Sequence, residues 1–209
     1  MTVAADAPDR SGRWTVKGAA TRARIVETAA ALMYERGVAG TSTEDIREAA
    51  GVSNSQLYHY FAGKDDLTHA VIVYQVERVL TVQQSLLSGL DSFAGLLAWR
   101  DVLVGFVSRR HGRGGCPIGS LAGEVADLDE DARLALVAGF ARWENAIRDG
   151  LVAMRARGEL RRDAEPDRLA LVTLAALQGG LLLAQTRRDV APFHTALDAA
   201  ISYIRTFAT

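Results

Sequence analysis

Residues 49–67 read AAGVSNSQLYHYFAGKDDL, and this stretch is the most informative part of the sequence. Ser53 is followed three residues later by Gln56, which is a capping-box pattern. In that pattern a hydroxyl and an amide satisfy the free backbone N–H groups at the start of a helix, so a helix is predicted to begin at Asn54. Gly63 interrupts the pattern nine residues later. The stretch therefore predicts a short helix with a sharply defined first turn.

Helical periodicity extends in both directions from this segment, and no convincing alternation of apolar and polar residues suggests a strand. We expect an all-α fold of about nine helices. The predicted helices cover residues 17–36, about 44–50, 54–61, 64–87, 92–111, 117–126, about 131–157, 166–187 and 192–207. We expect the chain to divide into a flexible N-terminal arm (1–16), a first helical domain (17–66) and a second, larger helical domain (67–209).

Composition bounds the class of protein. The chain has 209 residues, 49% hydrophobic and 23% charged, with a net charge of −1, as is typical of soluble globular proteins. A single cysteine, Cys116, excludes an internal disulfide framework and a multi-cysteine metal site. No signal peptide is recognised, and no apolar run is expected to reach the length of a membrane span. We therefore expect a cytoplasmic protein without a membrane contact.

The first turn of the helix at Asn54 carries the chemistry of DNA recognition. Two short helices joined by a glycine-containing turn, after a longer helix, form a helix-turn-helix pattern. Small polar side chains in the first turn of the second short helix can bond base edges in the major groove. Because the net charge is near zero, the phosphates must meet a local basic patch. The candidates on residue type and position are Arg22, Ser53, Asn54, Ser55, Gln56, Tyr58, His59, Tyr60 and Lys64, with Arg10, Arg13, Lys17 and Arg24 adding positive charge.

This segment resembles the TetR/AcrR family of transcriptional regulators. The resemblance covers about the first third of the chain, and most of its weight lies in Ala-Gly-Val-Ser (50–53) and in Leu-Tyr-x-Tyr-Phe-x-x-Lys (57–64). It implies a homodimeric, all-helical repressor whose second domain binds a small ligand and thereby releases DNA.

The resemblance also assigns roles to single positions. Thr43 matches a phosphate-contacting position at the start of the second helix. Residues 54–56 match the base-facing positions, and Tyr58 and Lys64 match phosphate contacts. Glu44 departs from the pattern, since some members have a basic residue there. Gln56 cannot cap Ser53 and read a base at once, so we expect it to cap in the free protein and to be partly released on DNA.

Residues for other chemistries are not assembled. The glycine-rich loop 112–119 lacks the Lys-Ser/Thr of a phosphate-binding loop, and the acidic run 127–131 is interpreted as a helix cap rather than a metal site. We expect no cofactor, no metal and no catalytic activity. The alternatives are an activator or ligand-independent regulator of the same fold, and an all-helical small-molecule-binding protein or enzyme without DNA binding.

The rest of the chain suggests a ligand site and an interface. Residues 115–122 resemble a segment of regulators that respond to drugs and flavonoids, which implies an apolar or aromatic inducer. Gln178 needs a hydrogen-bond partner if it is buried among its apolar neighbours. The candidate ligand-binding residues are Tyr74, Trp99, Leu103, Phe106, Cys116, Phe140, Trp143 and Gln178. We expect the homodimer to form through residues 166–187 and 192–207.

Overall fold

The computed structural model describes residues 15–209, so most of the predicted arm, with Arg10 and Arg13, lies outside the described residues. The described chain contains nine α-helices and no named strand, which confirms the all-α prediction. Most observed ends lie within two residues of the predicted ones. The helices are α1 (Val16–Arg36), α2 (Thr43–Ala50), α3 (Asn54–Tyr60), α4 (Lys64–Leu87), α5 (Phe93–Arg109), α6 (Pro117–Val125), α7 (Glu130–Ala156), α8 (Pro166–Arg187) and α9 (Ala191–Arg205).

Capping residues fix where the two short helices begin. At α2, the Asp45 N–H donates to Ser42 Oγ over 3.1 Å, and the Ser42 N–H donates to Asp45 Oδ2 over 2.9 Å. Gly51 ends α2 in the left-handed region, at φ 62°, a conformation that glycine adopts without steric cost. These local bonds set the three-residue turn that leads into α3.

The described chain forms two compact units that do not follow chain order. Unit 1 comprises the residues up to 75 together with 120–136, and unit 2 comprises 76–119 together with 137–209. The core of unit 1 includes apolar side chains from α1 to α4, all 3% exposed or less: Ile25, Ala29, Met33, Ile46, Leu57, Phe61 and Leu67. This core fixes α2 and α3 against α1.

Unit 2 is centred on the packing of α8 against α9. A Cβ atom added to Gly180 would lie 3.0 Å from Phe193 Cα and 3.0 Å from Ala196 Cβ, so the glycine permits a close helix approach. The neighbouring Gly179 would meet nothing within 4 Å. The two adjacent glycines therefore lie on different faces of α8, one packed on α9 and one open.

The open face of α8 is apolar. Leu171, Leu182 and Leu183 are 55%, 63% and 46% exposed, and with Ala175 and Gly179 they recur at helical spacing along one side. Within the described chain, α8 is the one helix long and apolar enough to cross a membrane, with 39% of its most apolar window buried. The expectation that no segment reaches this length was wrong, because the polar residues that interrupt α8 are uncharged.

Candidate nucleic-acid interface

The first turn of α3 is capped as the sequence predicted. The Gln56 N–H donates to Ser53 Oγ over 3.2 Å, and the Ser53 N–H donates to Gln56 Oε1 over 3.0 Å. Asn54 and Ser55 are exposed, while Gln56 is half-buried. The cap therefore holds a rigid turn whose amide and hydroxyl groups face solvent and are available to base edges.

Three polar aromatic residues lie in the C-terminal half of α3, and two of them are exposed to solvent. Tyr58 is 57% exposed and His59 is exposed, so both can reach a phosphate. Tyr60 is only 6% exposed. The prediction that its hydroxyl contacts DNA therefore needs correction, because Leu57, Tyr60 and Phe61 share the helix face that packs into the core of unit 1.

Side chains from three other positions border this surface. The Arg22 guanidinium lies 5.0 Å from the centre of the Phe61 ring, a cation–π distance, which places this arginine beside the end of α3. Thr43 and Lys64 are the first residues of α2 and α4, and both are half-buried. Each lies at the N-terminus of its helix, where free N–H groups and the helix dipole favour a phosphate.

The acidic residue at position 44 forms an ion pair within α2. Arg47 Nη2 lies 2.6 Å from Glu44 Oε1, and Arg47 Nε donates to Glu44 Oε2 over 2.9 Å. The hydrogen bond from Arg47 holds the pKa of the Glu44 carboxyl below its ordinary value. The positive charge of Arg47 is thus partly matched, and Lys17 and Arg24 on α1 remain exposed as sources of the basic patch.

The predicted ligand-binding residues of unit 2 differ in whether their buried polar atoms have hydrogen-bond partners. Trp99 is fully buried, and its Nε1–H donates to Gln83 Oε1 over 3.0 Å, which is a satisfied core arrangement that sequence reasoning did not foresee. Trp143 is 2% exposed. Its Nε1 and the Nε2 of Gln178 are buried, and the structure gives neither a hydrogen-bond partner in the described chain.

Gln178 and Cys116 meet at the start of α6. Oε1 of Gln178 would lie 2.7 Å from a Cβ atom on Gly119, and the side chain also interacts with the Cys116 thiol. Burial raises the pKa of this thiol, against the opposing effect of the backbone N–H groups of Gly119 and Ile118. At neutral pH the cysteine is therefore protonated and behaves as a small apolar side chain.

The other four candidates are Tyr74, Phe106, Leu103 and Phe140, and the structure places them differently. The Tyr74 hydroxyl donates to Glu27 Oε1 over 3.4 Å within unit 1. Phe106 is 50% exposed beneath the Arg110 guanidinium, so its predicted place on an inward face is wrong: it lies on the outer side of α5. Leu103 and Phe140 are half-buried.

Sequence reasoning also missed a solvent-open groove between α4 and α7 in unit 2. Its volume is about 640 Å³, and none of the predicted ligand-binding residues lines it. The lining residues are Glu77, Leu80, Thr81, Gln84, Leu87, Ser88, Arg142, Asn145, Ala146 and Asp149. An ion pair between Arg142 and Glu77 crosses the groove and holds the pKa of the Glu77 carboxyl below its ordinary value.

Two family models match the chain. Residues 25–71 match "Bacterial regulatory proteins, tetR family", and residues 93–200 match "Tetracyclin repressor-like, C-terminal domain". The first match contains the whole of α2 and α3, and the second covers more than half of the chain.

Known proteins of the same kind are similar to this chain over most of its length. The transcriptional regulator AcuR of Cereibacter sphaeroides is 30% identical over 84% of this chain and 78% of its own. The transcriptional repressor DhaR of Mycobacterium sp. strain GP1 is 27% identical, over 82% and 85%. A TetR transcriptional regulator from Chloroflexus aurantiacus has a similar crystal structure, with a TM-score of 0.77, 31% identity and coverage of 93% of this chain and 98% of its own. These relatives are transcriptional regulators, which are not enzymes, and the protein described here belongs with them to the TetR family of bacterial transcriptional regulators.

Proposed function

We propose that the protein is a homodimeric repressor that binds operator DNA through α2 and α3 and is released by a small apolar or aromatic ligand. The observation that carries the proposal is the capped first turn of α3, which exposes Asn54 and Ser55. Such a turn fits the major groove, and the N-termini of α2 and α4 suit phosphates. We place the protein in the cytoplasm, where its operator would be.

The proposed contacts separate into reading and positioning. Asn54, Ser55 and Gln56 read base edges. Gln56 does so only after its side chain leaves the Ser53 N–H, so DNA binding exchanges a capping bond for a base contact. The proposed phosphate contacts, which fix the register but carry no sequence information, are Arg22, Thr43, Ser53, Tyr58, His59 and Lys64.

A single recognition helix offers few base contacts, which favours a symmetric dimer with two helices one DNA turn apart, roughly 34–36 Å. The open apolar face of α8, formed by Leu171, Ala175, Gly179, Leu182 and Leu183, supports this assembly. Its neighbour α9 exposes small residues at helical spacing, including Thr195, Ala199 and Ser202. An interface of this kind would also account for the high hydropathy of α8, since both of its faces would then be buried.

Trp143 and Gln178 of unit 2 are the proposed ligand contacts, since each carries a buried N–H without a hydrogen-bond partner in the described chain. A buried donor without a partner costs roughly 1–3 kcal/mol, and an inducer with an acceptor oxygen would recover that free energy. The repressor role is carried over from the name of DhaR, a relative that is similar along most of the chain.

The experiment that tests DNA binding is selection from a randomised duplex library by the full-length protein, followed by mobility shifts at two salt concentrations with unrelated competitor DNA. We expect a near-palindromic sequence, a complex with two protomers and an affinity that falls with salt. A protein that enriches no sequence would contradict the proposal. A reporter gene placed behind the selected sequence then distinguishes repression from activation.

The ligand proposal has its own test. A panel of neutral aromatic compounds is screened for those that dissociate the selected complex, and the best is titrated against Trp143→Phe. This variant replaces the indole by a smaller aromatic ring and removes the N–H, so we expect weaker inducer binding with unchanged DNA affinity. Trp99→Phe is the matched control, since its N–H already bonds Gln83. Equal inducer affinity in wild type and Trp143→Phe would exclude this site.

A further inference from the structure

A carboxylate from α6 reaches the turn between α1 and α2. Glu124 Oε2 accepts a hydrogen bond of 2.7 Å from the N–H of Val38, a residue 86 positions away in the chain. The same oxygen would lie 2.8 Å from a Cβ atom on Gly37, so the carboxylate rests directly against the glycine. All three residues belong to unit 1. Nothing in the sequence pattern around residue 124 marks this contact.

The turn that Glu124 contacts is otherwise tightly bonded. Gly37 has φ 79°, in the region that favours glycine. Thr41 is fully buried, and its hydroxyl donates to the Gly37 carbonyl over 2.8 Å. The next residue, Ser42, caps α2. The position of the turn therefore sets the direction of α2 and, through the short connection at 51–53, the direction of α3.

Glu124 is itself held firmly. Leu121 and Val125, which share its side of α6, are 5% and 7% exposed. With this face buried, the Glu124 side chain has a fixed base from which to reach Val38. The hydrogen bond therefore joins two segments that are each held in place by other contacts, and it is not a mobile contact at the surface.

Electrostatics alone does not favour a carboxylate at this place. Gly37 follows the C-terminal end of α1, where the helix carries partial negative charge and acidic groups are unfavourable. A negative charge on a DNA-binding unit also weakens its attraction to phosphates. The position of Glu124 is explained by the hydrogen bond that it accepts, since bonds to a charged acceptor are among the strongest in proteins.

We propose that Glu124 is a positioning residue for DNA recognition: its carboxylate holds the Gly37–Val38 turn so that α2 and α3 keep the arrangement that fits the major groove. The inference rests on the proposed DNA-binding function. It predicts that losing the bond weakens specific DNA binding even though removing a negative charge would by itself strengthen binding to any duplex.

The test uses the full-length protein and a fluorescent duplex of the sequence that the wild type selects from a randomised library, with a scrambled duplex as reference. We expect Glu124→Ala to weaken binding of the selected duplex about tenfold or more, from the usual strength of bonds to charged groups. Binding of the scrambled duplex should not weaken, because the phosphate contacts remain. Glu124→Gln keeps an acceptor oxygen and should stay within about threefold of wild type, a rescue expected from the modest strength of neutral hydrogen bonds.

Two further variants test whether the effect depends on the hydrogen bond or only on the charge. Asp127→Ala removes an exposed acidic charge from the same segment and should not weaken binding. Glu124→Asp keeps the charge but is too short to reach Val38, so it should behave like Glu124→Ala and replaces that variant if the latter does not fold. If the wild type selects no sequence, the proposed DNA-binding function fails. If it selects one and Glu124→Ala and Glu124→Asp bind it as tightly as wild type, only the role of Glu124 is overturned.

Discussion

Replacing Leu182 by glutamine tests the dimer that the proposed function requires. Leu182 is 63% exposed in the single chain and belongs to the open apolar face of α8. Glutamine has a helix propensity close to that of leucine, so α8 itself should be preserved. The substitution therefore acts on the surface that we propose as the interface and not on the fold.

The magnitude follows from the exposed area. Full burial of a leucine side chain is worth roughly 1.5–3 kcal/mol, so the part of Leu182 left exposed would contribute roughly 1–2 kcal/mol per protomer. In a symmetric dimer each substitution occurs twice, which gives roughly 2–4 kcal/mol, before the cost of burying an amide is added. At about 1.4 kcal/mol per tenfold change, the dissociation constant of the dimer should rise about 30-fold or more.

Sedimentation velocity over a range of protein concentrations measures this constant directly. The matched control is Leu134→Gln on α7, because Leu134 is 51% exposed but lies outside α8 and α9. We expect the control to dimerise like the wild type. A Leu182→Gln variant with the wild-type dissociation constant would show that the open face of α8 is not the interface.

Three other predictions concern the recognition helix and the thiol. Ser53→Ala removes the cap of α3 and should lower the free energy of unfolding by about 1 kcal/mol, which corresponds to a Tm lower by roughly 2–4 °C in calorimetry. The control is Ser55→Ala, because Ser55 lies in the same helix but makes no capping bond. An equal effect of the two substitutions would refute the capping role. Lys64→Ala should weaken binding to all duplexes alike and reduce the slope of log K against log salt by about 2, one phosphate contact from each protomer; an unchanged slope would remove Lys64 from the interface. Because burial raises the pKa of Cys116 in the folded state, the stability due to its thiol is complete below the unfolded pKa and is lost as pH rises through the folded one. Denaturation at pH 8 and pH 10 should therefore show a larger loss for wild type than for Cys116→Val, and equal losses would contradict the assignment.

Much of the DNA-binding site could be predicted because its signals are local. The capping pair Ser53 and Gln56 lies within one helical turn, so the start of α3 follows from residues three apart. Glycines and prolines likewise placed most helix ends within two residues of those observed. The same short-range periodicity could also have excluded Tyr60 from the interface, since it shares a helix face with Leu57 and Phe61.

The ligand candidates show where local reasoning ends. Trp99, Trp143 and Phe106 are all aromatic residues at helical spacing, and the sequence treats them alike. The fold makes the first a satisfied core residue, leaves the second with a buried unpaired N–H and exposes the third. Which of these occurs depends on the neighbours that packing brings to each indole or ring.

The helical class, the helix boundaries, the capped first turn of α3 and the family resemblance all follow from the sequence alone, because each depends on residues only a few positions apart. Three contacts became visible only in the folded chain: Glu124 bonds the turn at Val38, Gln83 satisfies Trp99, and Gly180 packs on α9 while Gly179 stays open. These contacts join segments that are distant in the chain, and their geometry is set by how apolar faces pack together. No local pattern encodes that packing.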